Sequence, residues 1–412
     1  MSDFDVLICG AGAGGLTLAH FLGTQGRRVL LVDKQSRPRN VHKGELLQPR
    51  TVQILEAAGL VEPLADRGAR IVRRLTCSTA RDAELINLDF GLLDAPYDYG
   101  LLHFYKDFRE VVGAQLPSTV EYWQGTRVEE LRRADGRVRG ARLLRGSSRI
   151  DIEAGLTVAC DGQVSRLRDD AGIAVHRRLY DHQLVAFELE DAPELGQNMT
   201  MYLTPDGLRV LFQMPGGRAR LYAQIPSQSF RGVGKAGLAS WTSDLVRTVP
   251  ALEKVAGPLQ AAAPGIQVLS AARFHTPAWQ VPGLVLLGDT AHAVHPMVGQ
   301  GMNAAIGDAW CLAAQLSTVD ALTPLAVDAV GARYEAERRP VLDYVSRLSH
   351  VLALLFTSTS RGARLVRPRL LRANRDNDEL RRRIVYNMAG FGSDTFTGWA
   401  LRSALGLTRA RS

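Results

Sequence analysis

Asp289, His292, His295 and Pro296, followed by Gly299 and Gly301, crowd into the segment Val285-Leu-Leu-Gly-Asp-Thr-Ala-His-Ala-Val-His-Pro-Met-Val-Gly-Gln-Gly-Met-Asn303. Asp289 ends a predicted buried strand, Leu284 to Leu287, where its carboxylate is placed to accept hydrogen bonds from sugar hydroxyls. Gly299 and Gly301 let the backbone approach a ligand closely. The helix they open, predicted from about Gly301 through Asp308 to Leu316, has a positively polarised N-terminus suited to an anionic or electron-rich group. His292 and His295 have acid–base chemistry available, with a structural role in the loop as an equal alternative. Turn-forming glycines alone would account for Gly288 and Gly301 and leave the other residues without a reason.

A second constellation lies at the start of the chain. Phe4-Asp-Val-Leu-Ile-Cys9 reads as a buried parallel strand running into Gly10-Ala-Gly12-Ala-Gly-Gly15. A helix from about Leu16 to Gly26 follows, then a strand from Arg28 to Val32 that ends at Asp33. Strand, glycine turn, helix, strand and terminal acid together make a dinucleotide fingerprint. Gly10 forms the turn, Gly12 lets amides reach a pyrophosphate, and Gly15 allows close helix–strand packing, with Ala13 and Gly14 in the same turn. Asp33, 18 residues after Gly15 (33 − 15), is placed for the ribose hydroxyls of an adenosine, with Lys34 beside it. A carboxylate there disfavours a 2′-phosphate, so NADP is not expected at this site.

The elements that must position these residues alternate β and α. A loop from Lys34 to Leu47 carries the polar cluster His42-Lys-Gly-Glu-Leu-Leu-Gln-Pro49, read as solvated charges or as something more specific. A helix from about Pro49 to Ala58 ends before Gly59. Another follows the strand near Leu101 and carries Arg109, with Val112 and Leu116 at helical spacing. Asp135-Gly136 marks a hairpin turn, and Leu156 to Cys160 a buried strand leading into Asp161-Gly-Gln-Val-Ser-Arg-Leu-Arg168. From about Leu179 to Phe274 the pattern alternates, as in Met199, Met201 and Leu203, or Val210, Phe212 and Met214, or Arg220, Tyr222 and Gln224. Half-buried antiparallel sheet is predicted there. One face packs; the other, bearing Tyr202, Arg209, Leu211 and Gln213 or the opposite set, roofs a cavity. From about Tyr334 the chain is predicted to be mostly helical.

Composition adds limits. A chain of 412 residues holds two domains or one large domain with an inserted sheet, and 46% hydrophobic with 22% charged residues is ordinary for a soluble protein. The formal charge of +8 owes much to Arg361, Arg364, Arg367, Arg369, Arg372 and Arg381 to Arg383. A solvated helical face explains them, with an acidic partner or a weak peripheral membrane contact as the alternative, and no nucleic acid is expected. Cys9, Cys77, Cys160 and Cys311 have no paired spacing, which argues for reduced thiols in the cytoplasm and against a metal site. The apolar run Val351 to Phe356 is too short to span a membrane.

Gly10-x-Gly12-x-x-Gly15, Asp161-Gly162 with Ser165 and Arg168, and Gly288-Asp289 with Pro296 and Gly299-Gln-Gly301 resemble, in this order, the FAD-dependent aromatic hydroxylases of the p-hydroxybenzoate hydroxylase fold. Tyr334…Arg338-x-Pro340 resembles a helix start of that family. Glu45-Leu-Leu-Gln-Pro49 and His292-x-x-His295-Pro296 are most similar to ubiquinone-biosynthesis and alkylquinolone-type monooxygenases. The resemblance implies an α/β fold: a Rossmann-like FAD-binding domain (1–75, 101–178 and 273–325), an inserted antiparallel-sheet substrate domain (76–100 and 179–272) and a helical C-terminus (326–412). It implies non-covalent FAD held by Gly10, Gly12, Ala13, Gly14, Gly15, Asp33 and Lys34, with Arg109 on the phosphate or ribityl region. Asp161-Gly162 would serve FAD and the approach of NADH or NADPH. Gly288-Asp289 would bind the ribityl or pyrophosphate part, and Pro296, Gly299, Gln300, Gly301, Met302 and Asn303 would lie along the isoalloxazine. Lys43 stands where relatives often have an arginine near the flavin, and it is not a bidentate substitute.

His295, Pro296 and Gly299 are the candidate catalytic residues, and Leu47, Tyr202, Leu211, Gln213 and Tyr222 the candidate substrate contacts. The implied chemistry is the cofactor's: NAD(P)H reduces FAD, O2 adds to form the C4a-hydroperoxide, and one oxygen atom passes to a hydrophobic aromatic or polycyclic molecule of secondary metabolism, by hydroxylation or epoxidation. A flavin-dependent reductase or oxidative cyclase on the same fold, and a non-enzymatic flavin-binding subunit, are the competing readings. A monomer or a homodimer fits equally.

Overall fold

The computed structural model describes residues 2–230, 233–375 and 377–393. Val6 to Cys9 of strand Phe4–Cys9 and all of strand Val29–Asp33 are buried on both faces, as the near-continuous apolar runs of parallel strands require. Their sheet has the order 280–281, 284–286, 148–159, 4–9, 29–33, 120–124, and the pairings from 148–159 and 284–286 through 120–124 are parallel. Strands 126–134 and 137–145 extend it antiparallel from 148–159, through a turn at Asp135 (φ +52°) and Gly136 (φ +70°). Two positive φ angles in a two-residue loop give the primed turn that matches strand twist. Helices Ala13–Thr24 and Gln300–Ser317 share one core with this sheet, built on Ile8, Leu16, Leu31, Leu287, Ile306 and Leu312.

The second sheet runs 292–293, 267–275, 178–189, 218–226, 207–214, 198–204, 74–79, 84–89, and is antiparallel except where 198–204 meets 74–79. The alternation predicted from about Leu179 to Phe274 is interrupted, and resumes as strand only at Gln267–His275. Instead of continuous strand, Lys235–Thr248 and Ala256–Ala262 are helices, with 3-10 turns at Pro250–Val255 and Ala263–Gly265. Leu238, Trp241, Thr242 and Leu245 recur at helical spacing. Trp241 and Leu245 join Val249, Leu252 and Leu259 in burying Phe187, Tyr202, Leu211, Leu221 and Ala223 on the sheet's outer face. The inner face, with Met199, Val210, Phe212, Met214 and Tyr222, packs toward Leu46, Leu102 and Phe104.

The C-terminal helix also departs from expectation. It spans Pro324–Thr357, so Tyr334 and Pro340 lie inside it rather than at its start. The Thr323 hydroxyl accepts from the Ala326 amide (3.3 Å) and Pro324 sits in the first turn, a stronger start signal than Tyr334. Helices Arg361–Arg375 and Asp378–Met388 follow.

Candidate cofactor and substrate site

The three fingerprint glycines have different reasons to be glycine. Gly10 has φ +114°, and a Cβ there would lie 2.3 Å from the Cys160 carbonyl oxygen; at Gly15 it would lie 2.0 Å from the Gly10 oxygen. Both are fixed by the protein's own backbone. Gly12 is not: its φ is −73°, and the nearest atom to an added Cβ is the Tyr105 hydroxyl at 3.4 Å. Gly12 caps the Ala13–Thr24 helix with no side-chain hydrogen bond and no acid in the first turn. The helix therefore presents its first amides to whatever occupies the space over Gly12. Tyr105 reaches that space, beside the Ala13 amide, and burial pushes its phenol upward in pKa.

Asp33 is buried at the end of its strand. It accepts hydrogen bonds from the Ala11 amide (3.0 Å), the Gln35 amide (2.7 Å) and Arg109 Nη2 (2.9 Å), and Arg109 Nη1 donates to Gln35 Oε1 (2.7 Å). The two residues expected at the ribose and the phosphate thus bind each other. A carboxylate has about four acceptor positions, so one is left for a ligand hydroxyl. Arg109 Nε is buried and finds no partner among the described residues. Lys34 is exposed, as is Lys43, whose Nζ lies 5.8 Å from the Tyr105 ring centroid.

Asp161-Gly162 fastens the chain more than it faces outward. Asp161 accepts from the Ser165 hydroxyl and the Arg166 amide (3.0 Å), and burial raises its pKa. The Gly162 amide donates to Thr290 Oγ1 (3.0 Å), and Arg168 Nη1 to the Thr290 carbonyl (3.1 Å), which pins the Gly288–Thr290 turn. Asp289 in that turn is half-buried; it accepts from Gln163 Nε2 (3.2 Å) and faces Gly301 at the start of the Gln300–Ser317 helix.

His292 Nε2 lies 2.6 Å from Asp308 Oδ2, and Arg338 Nε donates to Asp308 Oδ1 (2.8 Å). Burial opposes ionisation of Asp308, but His292 and Arg338 outweigh it and hold the carboxyl below its ordinary value. His295 differs from the acid–base residue considered above. Its Nδ1 accepts from the Met297 amide (3.0 Å), and its Nε2 lies 2.8 Å from His182 Nε2. Burial, with His182 and His350 nearby, pushes it down to about 3, so it is uncharged at neutral pH with both nitrogens engaged. It caps the turn Pro296–Val298, which ends at Gly299 with φ +62°. Gln300 Nε2 donates to the Met388 carbonyl (2.9 Å), and Asn303 Nδ2 to the Leu46 carbonyl (2.9 Å), while Asn303 Oδ1 accepts from the Gln48 amide (2.8 Å). These two side chains hold the loop in place, and the buried Met302 packs against Gly44.

The substrate candidates divide by strand parity. Tyr202 and Leu211 pack in the outer helical layer, and Gln213 on the same face bonds the Leu195 amide (2.7 Å) and Arg218 carbonyl (2.8 Å). They do not roof a cavity toward the loop; Phe212, Met214 and Tyr222 hold that side. Leu47 is fully buried in the core of the first sheet. Tyr222 donates to Glu45 Oε2 (2.7 Å). Around it lies a buried network that sequence reasoning missed. Arg220, with 0% exposure, bridges Glu45 (2.7 Å) and Glu188 (3.1 Å), and His42 Nε2 lies 3.1 Å from Glu188. The His42 hydrogen bond holds Glu188 down to about 2. The polar cluster 42–48 was the one available signal.

A family model described as "FAD binding domain" matches residues 3–349. Over 374 residues the chain is 28% identical to the 6-methylpretetramide 4-monooxygenase of Streptomyces rimosus, covering 89% of this chain and 87% of that protein. It is 26% identical to squalene epoxidase 3 of Arabidopsis thaliana over 372 residues, 88% of this chain and 70% of that one. The structure of P. aeruginosa PqsL in complex with 2-aminobenzoylacetate superposes with a TM-score of 0.74 at 28% identity, covering 88% of this chain and 99% of PqsL.

Proposed function

The chain belongs to the FAD binding domain family, and from that premise we propose that it is an FAD-dependent monooxygenase acting on a hydrophobic aromatic or polycyclic small molecule. The observation that carries the proposal is Gly12: nothing in the protein requires a glycine there, whereas an approaching diphosphate does. The residues fit FAD. Amides at the start of the Ala13–Thr24 helix would receive its diphosphate, the acceptor left on Asp33 would take a ribose hydroxyl, and Asp289, beside the second helix N-terminus, would take a hydroxyl of the polyol. Bound FAD, reduced by NADH or NADPH, supplies the chemistry of O2 activation.

The protein's own work is placement. His295 holds the Pro296–Val298 turn, Gly299 allows its left-handed end, and Gln300 and Asn303 fasten the helix behind it. On the inner sheet Phe212 and Met214 are buried against Leu46 and Leu102 while Tyr222 keeps some exposure, an apolar side that would suit a hydrophobic ring over a charged one. The activity names of the S. rimosus and A. thaliana relatives support oxygenation over the competing reductase reading. A cytoplasmic location accords with four free cysteines.

Purified protein should release one FAD per chain on denaturation and, with 18O2, NAD(P)H and an aromatic acceptor, place a single labelled atom in the product. A colourless protein that cannot be reconstituted with FAD overturns the proposal, and anaerobic turnover returns the reductase.

A further inference from the structure

Helix Arg361–Arg375 has six arginines and no acidic residue. Its inward side is ordinary: Leu371, with Leu355 and Phe356 from the preceding helix, packs on Cys77, Leu85 and Ile86 of the substrate sheet, and buried Arg367 donates to the Ser358 carbonyl. Its outward side is not. Leu365 is 66% exposed, with Arg361, Arg369 and Arg372 at i−4, i+4 and i+7 on the same face, and Val366 is half exposed beside it. Val351 and Leu354, on the preceding helix, are 60% and 54% exposed. Solvated charge explains the arginines but not four large aliphatic side chains standing in water among them.

We infer that this outward face docks on the surface of an anionic lipid bilayer. Aliphatic tips enter the acyl boundary while arginine stems follow them and keep their guanidinium groups at the phosphates. No helix among the described residues is long and apolar enough to cross a membrane, so the contact lies on the surface. Helix Arg361–Arg375 carries no aromatic residue, which separates this face from a nucleic-acid site, where bases stack. The same helix walls the substrate sheet, so docking sets that sheet against lipid, a source of hydrophobic molecules. The inference is independent of the flavin chemistry, because its test reads binding alone.

The test is co-sedimentation of the full chain with vesicles of phosphatidylcholine, with and without phosphatidylglycerol, at low and high salt. Binding is expected only with phosphatidylglycerol and should weaken with salt. Replacing Arg361, Arg369 and Arg372 by Gln together should weaken it roughly 100-fold, at about fivefold per arginine. L365S/V366S should weaken it about tenfold, with unchanged FAD content and melting temperature. Failure to bind, equal binding to both vesicles, or binding indifferent to both variants overturns the inference. So does a concentration-dependent dimer abolished by L365S/V366S, which would assign the face to a second copy.

Discussion

Gly12→Ala separates ligand from fold more sharply than any other change. At the helix N-cap, exchanging Gly for Ala costs some tenths of a kcal/mol up to about 1. Reducing the freedom of the unfolded chain returns about 0.4–1 kcal/mol. The new methyl meets only the Tyr105 hydroxyl, at 3.4 Å. The two effects nearly cancel, so the ligand-free melting temperature should stay within about 2 °C of the parent. Cofactor binding should not survive equally well. A methyl over the cradle displaces the diphosphate from the first amides of the helix, and each charge-assisted hydrogen bond lost is worth about 1.5–3 kcal/mol, tenfold or more in affinity. Gly15→Ala is the contrast: its Cβ would lie 2.0 Å from the Gly10 oxygen, so backbone must move and the fold itself should weaken. The assay is flavin-fluorescence titration of ligand-free protein beside a thermal melt. Parental FAD affinity in Gly12→Ala, or a melting loss matching that of Gly15→Ala, would refute the reasoning.

Arg220→Met should destabilise by about 3 kcal/mol, because the buried Glu45 loses its cation while half-buried Glu188 keeps Arg218 and His42; urea unfolding measures it, and adding Glu45→Gln should restore part of the loss. Gly299→Val should keep FAD and some NAD(P)H oxidation but divert oxygen to hydrogen peroxide, since a left-handed residue costs about 1–2 kcal/mol as anything but glycine; an unchanged ratio of product to NAD(P)H places the chemistry elsewhere. Burial lowers His103 and His275 to about 4 and His295 to about 3, from 6.5. Their folded pKa values lie below the unfolded one, so their contribution is full above about pH 6.5 and is lost as pH falls toward 4. Urea midpoints should drop from pH 7 to pH 5 with a shallower slope in His295→Gln, and a flat profile would contradict this. Asp289→Ala should weaken FAD binding about tenfold or more with an unchanged melt; undiminished affinity would leave Asp289 a turn residue only.

What the sequence discloses here is local. Phe4–Cys9 reads correctly because the apolar run Val6 to Cys9 ending at Gly10 has little else to become, and Asp135-Gly136 because two adjacent residues set that turn. Gly299 was legible for the same reason. The helices over 235–262 were not, since Leu238, Trp241 and Leu245 at helical spacing stand among the helix-weak residues Gly237, Ser240 and Ser243, and their need arises from a sheet face more than ten residues away. The inward direction of Tyr222 rather than Tyr202 depends on those helices, so parity could not be settled without them. Glu45 and His42 looked like loop charges because their partners, Arg220 and Glu188, stand far along the chain.

The strand His292–Ala293 hydrogen-bonds to Phe274 and His275 and so forms one edge of the substrate sheet, while Glu84–Asp89 forms the other. The loop assigned to the cofactor and this sheet are therefore one piece of backbone at one end and linked through the C-terminal helix Asp378–Met388 at the other. Variation has an address in such a sheet. Under the proposed function, exchange of side chains near the 292–293 edge, which share backbone with the loop assigned to the flavin, should disturb every substrate alike. Positions toward 84–89 should then alter what is accepted with less effect on the reacting centre, which makes that border the place to begin a library aimed at new acceptors.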